Sequence, residues 1–401
     1  MLDRARPRNK RIFTAVPAAR GWLASASSSR SEQQVDIAVV GGSNGGYAAA
    51  ADLADRGHRV RFWRRDAAAF APILERQSIA LLTASGPREI PLALASTDLG
   101  RVLAGAALVV APIPAFAQAD LACGMAPHLT DGQVVFLPPG SFGSLVMDQA
   151  RRSAGNRADI AFAEAGTLPY LTRKHAGTDT RPGGVAIRVR ATRLPTGVFP
   201  ASHAPAAFAI LQQAYPSIEP LRDALDAALM NAGPIIHPPL ILMNAGPLAH
   251  FESWDIHNEG TQPSIRRVTD ALDAERIAIR TELGYGPPHF PLADHYDPGG
   301  EEWMYGRRGH TDLVDSADWR EKISLQTHRY MREDIACGLA LLVSLAAWAG
   351  VAAPVAAGLL AVASAAVGED FTRTGRTLQN LGLAGLDRGA MTRLLTTGAS
   401  T

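Results

Sequence analysis

Cysteine is scarce: the 401 residues hold two, Cys123 and Cys337, far apart and without metal-ligand spacing. No disulfide framework can be built from them, and a reducing, cytoplasmic setting fits. An excess of one charge is lacking too, since 39 Lys and Arg face 38 Asp and Glu. No basic stripe alternates with aromatics, which excludes a nucleic-acid surface and leaves small metabolites as the expected partners. His250, His257 and His289 sit among loop residues without HExxH or similar spacing, so no metal site is expected. Charge disappears altogether from Ile335 to Gly368, the usual mark of a membrane span. Gly338, Gly350, Pro354 and Gly358 interrupt that stretch, however, and alanine dominates it. Two or three buried helices account for it better, and no membrane association is expected.

The length exceeds one small core and predicts two domains. Residues 1–34 stand apart: Arg and Lys cluster before Phe13, serines crowd after Ser25, and the acids are Asp3 and Glu32. That bias resembles a transit peptide. Nothing else points to an organelle, so the segment reads as a disordered or spurious extension. Residues 35–203 then form a Rossmann-type dinucleotide-binding domain and residues 204–401 a mostly α-helical one, an α/β fold followed by a helical domain.

The strongest positive signal is Val35 to Arg65, VDIAVVGGSNGGYAAAADLADRGHRVRFWRR. Ile37 to Val40 is the short apolar run of a buried parallel strand. The turn through Gly41, Gly42, Ser43, Asn44, Gly45 and Gly46 lets a pyrophosphate approach the backbone. A helix starting near Asn44 aims its free N–H groups at that anion. Arg59 to Trp63 is the answering strand, and this context is what separates the motif from a chance glycine trio. Ser43 departs from the pattern, standing where the second glycine of GxGxxG belongs. After the second strand come Arg64 and Arg65, not an acid. Guanidinium suits a ribose 2′-phosphate, so NADP is expected over NAD, with NAD still open.

Further strands are expected at Ala106–Ala111, Val134–Leu137, Asp159–Phe162 and Val185–Val189, alternating with helices. The loops at Pro112–Pro114 and Pro138–Gly143 then lie along the nicotinamide half of the cofactor. Beyond Ala204 the pattern turns helical. Three stretches there carry chemistry: NAGPIIHP from Asn231, RYMRED from Arg329, and GEDFTRTGRTLQNLG from Gly368.

Taken with VVGGSNGGYAAA, PPGSFG at Pro138, EAGTLPYLTR at Glu164 and NEGTQPSIRRVTDALDAERIAI at Asn258, these stretches resemble the opine dehydrogenase family of the octopine and nopaline type. The resemblance covers nearly the whole chain after residue 34. It implies reductive condensation of an amino acid with an α-keto acid, pyruvate by default, or the reverse. It also implies His237 as acid/base, Asp334 as its carboxylate partner and Arg329 as a clamp for a substrate carboxylate. A homodimer stays an open option.

The chemistry asks for the same residue types. Imine reduction moves a proton beside the hydride carbon, and histidine titrates in the right range. An aspartate on one ring nitrogen fixes its tautomer. Arginine grips a carboxylate with two parallel bonds. Plainer roles compete: Asp334 can be a helix N-cap, His237 a loop or core residue, and Arg332 and Glu333 surface partners, with Arg332 a rival for the clamp. Asp273, Glu275 and Arg276 read as a solvated or inter-helix ion-pair face, and Asn258, Glu259 and Gly260 as candidates for the substrate side. Glycerol-phosphate and ketopantoate reductases use a catalytic lysine, for which only Lys322 is available in a comparable region. A membrane-attached nucleotide-binding module is the non-enzymatic alternative.

Overall fold

Asp36–Val40 (β1) becomes a central strand because both its faces are apolar. Ile37 and Val39 join one buried cluster while Ala38 and Val40 join another. In the computed structural model, which describes residues 34–177 and 183–399, β1 pairs in parallel with Arg59–Trp63 (β2) and with Leu108–Val110 (β6). The expectation for residues 1–34 lies outside the described residues except for Gln34. Between these strands run Ser78–Thr83 (β3), Gly86–Pro91 (β4) and Leu94–Ser96 (β5). After them come Val134–Leu137 (β7), Ala161–Ala165 (β8), Tyr170–His175 (β9), Gly184–Arg190 (β10), Leu194–Phe199 (β11) and Ile218–Pro220 (β12).

The large sheet has eight strands in the order β12-β11-β8-β7-β6-β1-β2-β5. All its pairs are parallel except β8 with β11. Strand order reverses at β1, and the crevice at the carboxyl ends there is where such sheets hold ligands. Strand β6 is shorter than expected at both ends, and at its carboxyl end Pro112, two residues on, has no N–H to continue the ladder.

A second sheet, β4-β3-β10-β9, departs from the simple alternation of strand and helix. β3 and β4 form a hairpin whose connection ends at Gly86, held at φ 114°. The segment expected at Val185–Val189 is β10 of this sheet. It pairs with β3 and β9, so β9 is carried over the glycine turn.

The charge-free stretch is several helices. Tyr330–Leu339 is wound as a π-helix and continues as Ala340–Ala349, which Gly350 ends at φ 75°. Pro354–Val367 starts with proline in its first turn and ends at Gly368, φ 70°. Among the described residues no helix is long and apolar enough to cross a membrane. Glu275, on the helix Pro263–Glu282, accepts the N–H groups of Val355 and Ala356 at 2.8 Å each and so caps the second of these helices. Asp273 and Arg276 form a buried pair at 2.6 Å. That face is therefore inter-helix rather than solvated.

Candidate active site

The glycine turn is shaped by two backbone demands. Gly41 sits at φ 121°, and a Cβ on Gly46 would run into the carbonyl oxygen of Gly41. The first helix, Asn44–Asp55, can therefore press onto β1 with its N-terminus open to the crevice. Ser43 explains its own departure from the motif: its Oγ accepts the Gly46 N–H at 3.1 Å as N-cap and donates to the Pro112 carbonyl at 2.7 Å. Arg64 folds back beside Gly42 and donates to the Tyr47 hydroxyl at 3.1 Å, while Arg65 is exposed.

Two helices bring the dyad together. His237 lies on Gly233–Met243, and Asp334 on the π-helix. Any Cβ on Gly338 would overlap Pro234, and one on Gly233 would overlap Asp334, so glycines let these helices close. His237 Nδ1 then meets Asp334 Oδ2 at 2.8 Å. The imidazole stacks on Tyr330 with centroids 3.8 Å apart. Asp334 is thus inside a helix rather than at an N-cap, and π-winding is often found where a helix must turn a functional side chain.

Burial opposes the charged form of both partners. It pushes the Asp334 carboxyl up to about 7, and together with the nearby Arg329 guanidinium it pushes the His237 imidazole down to about 3. Arg329 pairs with Glu333 at 2.8 Å, and the Glu333 carboxylate also accepts the Ala115 N–H at 3.2 Å. Glu333 is buried, not a surface partner. Arg332 is bound to Glu369 at 2.5 Å instead of reaching the cleft.

The dyad and the turn line one cleft of about 890 Å³, to which Asn44, Gly45, His237, Arg329 and Asp334 all contribute. Its far wall carries His257, His295, Trp303 and Tyr305, and burial holds both of these histidines neutral at physiological pH. His257 lies 5.7 Å from His237, so the substrate-side segment contributes its histidine. Asn258, Glu259 and Gly260 do not line the cleft: Glu259 pairs with Arg320, and the Gly260 carbonyl accepts from Asn244. His250 ends a helix beside Phe251, and His289 accepts from Arg280. Lys322 donates to the Phe251 carbonyl away from the cleft.

Sequence reasoning missed four residues here. Arg173, on β9, faces the cleft with its guanidinium over the Trp319 ring at 4.4 Å. Next to it, Lys174 reaches the glycine turn. Tyr330 supports the imidazole. Glu164, wholly buried, accepts from Phe142 N–H at 2.7 Å and Ser144 Oγ at 2.5 Å and holds the Pro138–Gly143 loop, and burial raises its carboxyl to about 7. The alternation Tyr170, Thr172 is a strand signal that would have placed both β9 cations on the sheet.

Residues 220–367 match the family model for the NAD/NADP octopine/nopaline dehydrogenase alpha-helical domain. The chain is 28% identical over 359 residues to an opine dehydrogenase of Arthrobacter sp. (strain 1C), an alignment covering 87% of this chain and 95% of that one. Its fold is similar to that of octopine dehydrogenase solved with NADH and L-arginine, with TM-score 0.65, 18% identity and coverage of 90% and 98%. A yersinopine dehydrogenase with bound NADP+ aligns at TM-score 0.58 and 15% identity, with coverage of 90% and 98%.

Proposed function

We propose that the chain belongs to the opine dehydrogenase family of the octopine/nopaline type and is an NAD(P)H-dependent oxidoreductase joining an amino acid to an α-keto acid. The observation that carries this reading is the His237–Asp334 pair, at 2.8 Å, in the same cleft as Asn44 and Gly45 of the glycine turn. In this reading residues 35–203 serve the cofactor and residues 204–401 the substrates. Gly41, Ser43, Asn44, Gly45 and Gly46 receive the pyrophosphate. Arg64, with Arg65 in outer support, favours NADPH over NADH.

A bound nicotinamide cofactor supplies the hydride. With Asp334 accepting Nδ1–H, the Nε2 lone pair of His237 is left for the substrate. With the ionised Asp334 carboxylate offsetting the burial that keeps the imidazole neutral, Nε2 takes a proton from the amino acid's ammonium group, freeing the amine to attack the keto carbon. It returns that proton to the oxygen, which leaves as water with a second proton shed by the attacking nitrogen. Arg329 holds the keto acid carboxylate. The product carries two carboxylates, and the cleft presents two guanidinium groups, Arg329 and Arg173.

The test is cofactor oxidation with pyruvate or 2-oxoglutarate against a panel of amino acids. Oxidation that requires both substrates is expected; oxidation with keto acid alone would identify a hydroxy-acid reductase instead. The enzyme works in the cytoplasm in this reading, as monomer or homodimer, and sedimentation velocity decides between those.

A further inference from the structure

We infer that Lys174 and Arg64 form a two-cation clamp for the adenosine 2′-phosphate of NADPH, with Lys174 supplied by the second sheet. The inference rests on the reading of the cleft as a nucleotide site. Lys174 Nζ stands 2.7 Å from the Gly42 carbonyl and 4.7 Å from the Tyr47 ring centroid. Arg64 approaches the same glycine from β2 so closely that a Cβ on Gly42 would strike its side chain, and its guanidinium bonds the hydroxyl of that same Tyr47 at 3.1 Å. The two cations are thus held against one glycine and one tyrosine.

The nearby carboxylate does little to neutralise them. Asp66 lies 3.7 Å from Arg64 and is well exposed to solvent. Lys174 is half-buried, and both desolvation and repulsion by Arg64 disfavour its charge. A dianionic phosphate between them removes that penalty and accepts from both.

Position selects the 2′-phosphate over the pyrophosphate. Arg64 directly follows β2, whose end faces the adenosine ribose in this fold. The pyrophosphate site is the helix N-terminus at Asn44–Gly46. There the Asn44 side chain accepts the Lys174 backbone N–H at 3.1 Å, fixing β9 beside the turn while the ammonium reaches past it to Gly42. This contact was invisible to a motif search, because the fingerprint ends about a hundred residues earlier.

The experiment compares fragments that differ only in the 2′-phosphate. 2′,5′-ADP and 5′-AMP, and in parallel NADPH and NADH, are titrated by calorimetry into wild type, Lys174→Gln and Lys174→Arg. Wild type is expected to bind 2′,5′-ADP more tightly than 5′-AMP. Lys174→Gln should weaken 2′,5′-ADP and NADPH about tenfold or more, the scale of one charge-assisted hydrogen bond, and leave NADH within about twofold. Lys174→Arg should retain most of the preference. Equal weakening of NADPH and NADH, or no weakening of either, overturns the clamp, because Lys174 is then a structural or pyrophosphate contact. A wild type that binds both fragments equally also overturns it. A wild type that binds no nucleotide overturns the functional reading itself.

Discussion

The glycine turn and the dyad hold their polar groups in opposite ways. Inside Gly41–Gly46 the path of the chain is set by the backbone of sequence neighbours, with Pro112 and Lys174 tethering it from outside. His237 and Asp334 are 97 positions apart and meet only because Gly233 and Gly338 let two helices touch. Both sites depend on missing side chains. In the turn, however, the missing Cβ lets a helix close onto the strand just before it, whereas between the helices it lets two distant segments meet.

If the two regions divide the labour as proposed, they should fail differently. The largest effect belongs to the dyad: His237→Ala and Asp334→Asn should each lower kcat by about 10²-fold or more while cofactor binding survives. The double variant should be little worse than the worse single one, since the two act as a unit. Steady-state kinetics with direct cofactor titration checks this, and near-normal turnover by a folded His237→Ala would remove the histidine from the chemistry.

The turn should respond in the reverse sense. Gly46→Ala forces a methyl group against the Gly41 carbonyl, so a loss of about 1–3 kcal/mol in stability is expected. Nucleotide affinity should fall with it, measured by urea denaturation and titration. Unchanged affinity would mean that the helix can back away from β1 without harming the cradle.

Proton counting gives a subtler contrast. Between about pH 3.8 and 6.5 the unfolded pair carries one proton, on His237, and the native pair also carries one, on Asp334. Folding exchanges no net proton, so the pair leaves wild-type stability flat there. His237→Ala leaves a carboxyl raised to about 7: its stabilising effect is fully present below about 3.8 and is lost as pH rises toward 7. Asp334→Asn leaves a lowered imidazole, whose contribution is present above about 6.5 and lost as pH falls toward 3. Slopes of up to about 1.4 kcal/mol per pH unit, of opposite sign, should appear in urea midpoints. Parallel pH profiles for all three proteins would refute the shared-proton arrangement.

The smallest effect is Ser43→Ala, which removes an N-cap and should cost about 1 kcal/mol. Thermal melts check it. A Ser43→Gly variant, restoring the usual motif, should lose less.

What the sequence disclosed follows the same division. β1, the first helix and β2 were legible to within a residue, since apolar runs and glycines act locally. That His237, Asp334 and Arg329 share one cleft was legible only through several motifs in order, because no local rule says which helices touch. The small sheet was not legible: its β3–β4 hairpin interrupts the strand–helix alternation, and its other half lies about ninety residues later. Arg173 and Lys174 were lost with it. Glu333 was misjudged because a charged residue beside arginines reads as solvated, whereas it is buried under Arg329 and the Ala115 N–H.

Arg376 reaches from the helical half to three backbone carbonyls, those of Ala115, Gly140 and Ser141. These acceptors belong to the two loops that follow β6 and β7, so one guanidinium completes the hydrogen bonding of both. The halves of the chain are consequently poor candidates for exchange. A chimera joining this helical half to another nucleotide-binding half would inherit a cation without its acceptors, at about 1–3 kcal/mol for each polar group left buried and unpaired. Recombination within this fold should succeed only where the two loops travel with their arginine.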